Sequence, residues 1–132
     1  MKGKAAFVSD FDGTITGDDF FAYASEAFFD EKSLTPWRRF KKGEITHFEA
    51  LKEMFEKIRV SCGEFNAFMD KIPVDGGFAE GARICREKNM PVYICSAGCD
   101  YYINYLIGNI IEKYGVTLVA NRGSYSPETD LV

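Results

Sequence analysis

A chain of 132 residues is the length of one ordinary domain, and a hydrophobic share of 46% with 15% aromatic residues is ample for a packed core. The formal net charge of −4 argues against nucleic-acid or anionic-membrane partners, which select basic patches. No apolar run approaches the roughly 18 residues of a spanning helix, and the N-terminus lacks a signal-peptide apolar core, so a soluble cytoplasmic protein is expected.

Taken in order, Ala5 to Val8 is a short apolar run, the pattern of a strand buried on both faces of a parallel sheet. It runs into Asp10 and Asp12, followed at once by Gly13 and Thr14. Ligands of open α/β sheets bind in the crevice beyond the carboxyl ends of the strands. Two acids there repel each other unless a cation or a shared proton relieves them. Side chains alternate along a strand, so Asp10 and Asp12 are expected on one side and Phe11 packed on the other. Gly13 allows a close approach of the backbone to a bound group. A calcium loop counted from Asp10 needs Gly at its sixth place and an acid at its twelfth, where Ile15 and Phe21 stand. A receiver-type acidic pocket also sits at a strand end but does not require the Asp-x-Asp-Gly-Thr order.

Asp18 or Asp19 can cap a helix to about Phe29, with Phe20, Ala24, Ala27 and Phe28 as its apolar stripe. Thr35-Pro36 reads as an N-cap with proline at the first helical position, opening a short helix with Trp37 and Phe40 that Gly43 ends. Thr46…Glu49 and Ser61…Glu64 are capping boxes. The first opens a helix carrying Phe48, Leu51, Phe55 and Ile58, the second one carrying Phe65, Phe68, Met69 and Ile72. His47 is expected to face solvent. Lys41-Lys42 reads as a solvated face, or as a contact for an anionic substrate.

Pro73 to Gly77 is a hinge back to the sheet. A helix from about Phe78 to Lys88 follows, then a strand Val92 to Cys95, then a long helix capped by Asp100 with Ile103, Leu106, Ile107, Ile110 and Tyr114. Gly115 closes that helix as a C′ glycine, and Val116 to Ala120 is a third strand. This is a doubly wound α/β pattern with a helical insert after the first strand: residues 1–16 and 73–132 as core, 17–72 as an all-helical module.

The four cysteines, Cys62, Cys85, Cys95 and Cys99, contain no Cys-x-x-Cys pair, and with the single His47 they make no zinc-site pattern. Cys85 and Cys95 read as small core residues and Cys99 as site lining. Reduced thiols fit a cytosolic protein. The second strand ends Ser96-Ala97-Gly98. A hydroxyl, small residues and a helix N-terminus there suit an oxyanion, although alone the string is only a turn.

Asp10-Phe11-Asp12-Gly13-Thr14, with Ser96 as its second site, resembles motifs I and II of the haloacid dehalogenase (HAD) superfamily, most of whose members are phosphatases. The resemblance implies an α/β fold with a Rossmann-like core, three strands of its parallel sheet present here, and an inserted helical cap. It implies Asp10 as nucleophile, Asp12 as general acid and base, and Mg²⁺ held by the Asp10 carboxylate and the Asp12 main chain. Ser96 and the backbone around Gly13, Ala97 and Gly98 would bind phosphate, with Thr14 ordering the loop. The substrate implied is a small phosphorylated metabolite. A motif III lysine and a motif IV acidic segment have no counterpart, since no lysine follows Lys113 and Glu128 and Asp130 are wrongly placed. The expectation is therefore an N-terminal portion of an enzyme, or else a degenerate domain that binds without turnover. In that truncated form the first strand becomes an edge, inviting self-association.

A helical insert after motif I resembles the cap of the phosphoserine phosphatase group, in which Asp19 falls at an acidic substrate-contacting position. Met54 stands where that group has an arginine for a carboxylate. Lys41-Lys42-Gly43-Glu44-Ile45, Met54-Phe55 and Ser96 to Tyr102 instead resemble a methionine-salvage branch. The cap helices and Asp19 would then close over the site and choose the leaving group.

Overall fold

The computed structural model describes residues 4–123. They divide into two compact units, residues 4–19 with 69–122 and residues 20–68.

The first unit is built on a three-stranded parallel sheet of β1 (Phe7–Ser9), β2 (Val92–Cys99) and β3 (Thr117–Asn121), in the order β1-β2-β3. Helix α5 (Gly76–Glu87) leads into β2, and α6 (Asp100–Tyr114) joins β2 to β3. Right-handed crossovers that step twice in one direction leave both helices on the same face, and α5 and α6 touch each other. The register places Ser9, Ile94 and Leu118 side by side, and Ile94 is fully buried. Val8, Tyr93 and Thr117 form the next row, pointing the other way, and there Val8 is 60% exposed.

Three expectations are corrected by this one-sided layering. The first strand is not buried on both faces: among the described residues no element covers the face to which Val8 points, and Phe7, on the same side as Ser9, is exposed as well. The winding is single-sided over the three strands, not doubly wound. Cys95 is exposed beside Val119 on the open face and is no core residue, while Cys85 is half-buried.

Local chemistry sets the boundaries. The Asp75 side chain accepts the Gly77 N–H at 2.8 Å and starts α5. α6 ends in Gly115, whose φ of 63° is the left-handed conformation a C-terminal glycine supplies. Its N-cap is Cys99 rather than the expected Asp100, which is the first helical residue. The two ends of the helical insert are tied together within the first unit. Thr16 pairs antiparallel with Val74, Asp75 N–H donates to Ile15 O at 2.7 Å, and Gly17 N–H donates to Pro73 O at 3.2 Å.

The second unit contains α1 (Phe20–Phe28), α2 (Thr35–Lys41), α3 (His47–Phe55) and most of α4 (Cys62–Asp70). Its core is aromatic. Phe20 meets Phe55 at 5.7 Å and Phe68 at 5.6 Å between centroids, Phe28 meets Phe68 at 4.7 Å, and Phe21 stacks on Trp37 at 4.8 Å. Each such pair adds roughly 0.5–1.5 kcal/mol beyond area burial. The Thr46–Glu49 capping box forms in full. At the second box the Ser61 hydroxyl accepts the Glu64 N–H, and the return bond runs to the Glu64 carboxylate from the hydroxyl instead of the backbone.

Three local readings change here. Leu34, not Thr35, is the N-cap of α2, because the Thr35 hydroxyl donates backward to Lys32 O. α3 buries Ala50 and Met54, leaving Phe48 61% exposed. Ala27 is exposed on α1, where Phe20 and Ala24 are buried. His47 is exposed, as expected, with its ring edge against Trp37 and Phe40. Lys41 lies over the Trp37 ring at 5.3 Å.

No helix among the described residues is long and apolar enough to cross a membrane. Among the same residues β1 pairs with β2 alone, so its outer edge presents unpaired backbone groups beside Val8. Sedimentation velocity of the chain should show concentration-dependent association, and Val8→Lys should return it to monomer. A wild-type chain that stays monomeric at every concentration removes self-pairing through β1.

Candidate active site

β1 ends at Ser9, and the next residues turn sharply. Phe11 is fully buried, Asp10 exposed and Asp12 half-buried, the division expected of the Asp-x-Asp string. Asp10 Oδ1 accepts the Phe11 N–H at 2.8 Å, which restrains the Asp10 rotamer. The turn is held by backbone bonds from Thr14, Ile15 and Thr16 N–H to Phe11 O. Gly13 has a φ of 73° in this turn, and a Cβ added there meets nothing within 4 Å. The backbone at Gly13 is open to a ligand.

Thr16 orders the loop. It is 5% exposed, its hydroxyl accepts the Gly13 N–H at 3.1 Å and donates to Asp18 O at 2.7 Å. The expectation gave this task to Thr14, which is exposed. Thr16 had no signal beyond being a threonine three residues past a glycine. Asp19 is also exposed, and its N–H donates to the Asp18 carboxylate at 2.8 Å.

At the end of β2 the chain brings Ser96, Ala97 and Gly98 to the first motif. The Ser96 hydroxyl donates to Asp12 Oδ2 at 3.3 Å across 84 residues of sequence, and Gly98 N–H donates to Ser96 Oγ at 2.9 Å. Ala97 is exposed, and its carbonyl accepts the Asn121 side-chain amide at 2.7 Å. Parallel pairing is what makes this meeting possible, because it carries the ends of β1 and β2 to the same edge of the sheet.

Tyr102, which closes the Ser96–Tyr102 string but was given no role there, belongs to the site. It is 4% exposed on α6, its ring lies 6.0 Å from that of Phe11, and its hydroxyl donates to Asp12 Oδ2 at 2.7 Å. Burial first, then the Asp12 charge and hydrogen bond, push the hydroxyl far above the usual tyrosine range, so it stays a donor. A Cβ on Gly98 would overlap the Tyr102 hydroxyl, so only glycine fits there.

No family model matches the chain. A phosphatase of Bacillus cereus (strain B4264), named 2-hydroxy-3-keto-5-methylthiopentenyl-1-phosphate phosphatase, is 26% identical over 121 residues, 90% of this chain and 54% of that protein. The protein of the same name from Lysinibacillus sphaericus (strain C3-41) is 28% identical over 130 residues, 95% of this chain and 55% of its own length. Among solved structures, a phospho-aspartyl intermediate analogue of phosphoserine phosphatase superposes with a TM-score of 0.65 at 20% identity, covering 98% of this chain and 61% of that one. A HAD family hydrolase from Salmonella enterica serovar Typhi gives a TM-score of 0.69 at 14% identity, covering 98% of this chain and 44% of that one. The fold is that of the HAD phosphatases. The chain spans about half the length of the curated relatives it matches. Within this HAD fold the two aspartates and Ser96 fall where the motif strings anticipated them, at adjacent strand ends.

Two measurements check this geometry. Thr16→Val should strand the Gly13 N–H and Asp18 O and cost about 1–3 kcal/mol in urea denaturation; an unchanged stability means water replaces the hydroxyl at no cost. Burial holds the Cys99 thiol above its ordinary range, with the Asp100 charge adding to the effect. The thiolate is the reactive form. At about pH 8.5 iodoacetamide should therefore modify exposed Cys95 well before Cys99, and Cys99 should gain rate only at higher pH. Equal rates in peptide mass mapping contradict the burial.

Proposed function

We propose that this chain carries the nucleophile and the acid–base group of a Mg²⁺-dependent phosphatase acting on a phosphate monoester of a small metabolite, in the cytoplasm. The observation that supports this best is the Ser96–Asp12 contact, which joins two remote motifs at neighbouring strand ends. In this reading residues 17–72 form the cap and the remainder the core.

Asp10 attacks phosphorus, forming an acyl phosphate as the bond to the leaving alkoxide breaks. Asp12 gives that alkoxide a proton and then takes one from the water that cleaves the acyl phosphate. Ser96 and the backbone at Ala97 and Gly98 face the phosphoryl oxygens, the Ser96 hydroxyl turning from Asp12 to donate to one of them. Gly13 takes part by its openness, since its own N–H is committed to Thr16.

The donor set suits a hard cation in part. Asp10 is exposed with one oxygen used by Phe11 N–H, and Mg²⁺ is content with one or two carboxylates and several waters. Asp10 and the Asp12 carbonyl would hold it. When bound, it supplies positive charge against the phosphoryl oxygens. No group of three or more His, Cys, Asp or Glu residues is assembled among the described residues, so the affinity of this chain for Mg²⁺ should be weak. That incomplete donor set favours a second reading, a HAD-fold domain that binds a metabolite or partner without turnover.

The substrate proposed is a methionine-salvage phosphate ester, in line with the names of the relatives. Met54, which by resemblance stands where the phosphoserine phosphatase group has an arginine, is fully buried and offers nothing to a carboxylate.

Two substitutions test the proposal with p-nitrophenyl phosphate and Mg²⁺. Asp10→Asn should lower kcat by several orders of magnitude, because nucleophile and metal ligand vanish together; wild-type turnover in that variant ends the assignment, and a wild-type protein without Asp10-dependent turnover supports the binding domain. Asp19→Ala should impair a methionine-salvage ester more than the small aryl phosphate. Equal loss on both puts Asp19 outside the specificity pocket.

A further inference from the structure

Tyr102 grips the first motif twice. Its ring packs against Phe11, and its hydroxyl meets the carboxylate of the very next residue, 90 positions away in sequence. The bond from the Tyr102 hydroxyl to Asp12 Oδ2 is short, at 2.7 Å. The same carboxylate oxygen takes the Ser96 hydroxyl at the longer distance of 3.3 Å. Of the two, Ser96 is the one the phosphatase reading assigns to phosphate. When Ser96 turns to a phosphoryl oxygen, the shorter bond from the Tyr102 hydroxyl still holds the Asp12 oxygen. The neighbouring position is shaped around this bond, since any side chain at Gly98 would occupy the space of the hydroxyl.

We propose that Tyr102 is a positioning residue for Asp12, its hydroxyl holding the carboxylate where it exchanges protons with the leaving group and with water. This rests on the phosphatase reading of Asp10 and Asp12. The physical reason is geometric. An aspartate side chain freed from one anchor samples other rotamers, and a displacement of about 1 Å at a reacting group can cost on the order of a hundredfold in rate. Substrate binding does not pass through the Tyr102 hydroxyl, so KM should not change with it.

The test is Tyr102→Phe, which keeps the ring against Phe11 and removes only the donor. Thermal denaturation establishes that the variant is folded. With p-nitrophenyl phosphate and Mg²⁺, kcat should fall roughly tenfold to a hundredfold with KM within about twofold, and a crystal structure of the variant should show the Asp12 carboxylate turned from its wild-type position. Gly98→Ala should lower kcat through the same hydroxyl, and its effect should shrink in the Tyr102→Phe background. An unchanged kcat, a loss carried by KM alone, or an Asp12 that stays in place overturns the proposal. Asp10→Asn serves as the separating control: full turnover there defeats the phosphatase reading itself. Should the wild-type protein turn over nothing, that reading falls, and the position of Asp12 in the Tyr102→Phe crystal decides whether the hydroxyl holds it.

Discussion

The site depends on one carboxylate oxygen. Asp12 Oδ2 is the acceptor for both the Tyr102 and the Ser96 hydroxyls, and these bonds link a loop after β1 to the end of β2 and to α6. Everything local serves that meeting. Parallel register carries both strand ends to one edge, Phe11 buried beside Asp12 anchors the loop, and Thr16 sets its curvature. Glycine is required at position 98 because the tyrosine hydroxyl fills the space where a side chain would begin. A carboxylate held in this way has a defined direction before any substrate arrives, as a proton-transfer group needs.

Among the described residues the sheet beneath the site is covered on one face only. Successive crossovers in one direction put α5 and α6 together over Ser9, Ile94 and Leu118, and leave Val8, Tyr93 and Val119 on the other side. All-parallel sheets are normally covered on both faces. Among the described residues the open face adjoins the free edge of β1, which pairs with β2 alone.

Much of this was legible in the sequence because its signals are local. The Asp10–Thr14 string, the Thr46–Glu49 box and Gly115 each act within a few residues, and they appear where the pattern put them. The misses have a common cause. Val8, Cys95 and Phe48 were read as core because apolarity says that a residue can be buried, and not that a covering layer is present. Cys99 displaced Asp100 as N-cap because its thiol lies within 3.4 Å of Tyr101 N, and capping statistics favour oxygen over sulfur. Tyr102 entered only as the last residue of the Ser96–Tyr102 string, with no role of its own. Its partner is 90 residues away, and no spacing rule reaches that far.

As the proposed nucleophile, Asp10 would carry the phosphoryl group covalently during turnover. The most direct measurement is to mix the protein with p-nitrophenyl phosphate and Mg²⁺, quench in acid, digest, and locate by mass spectrometry any added phosphoryl group. The account requires that group on Asp10, in the peptide around Phe7 to Thr16, and its absence from the Asp10→Asn protein. Turnover with no phosphoryl group on Asp10, or with the group on another residue, contradicts it.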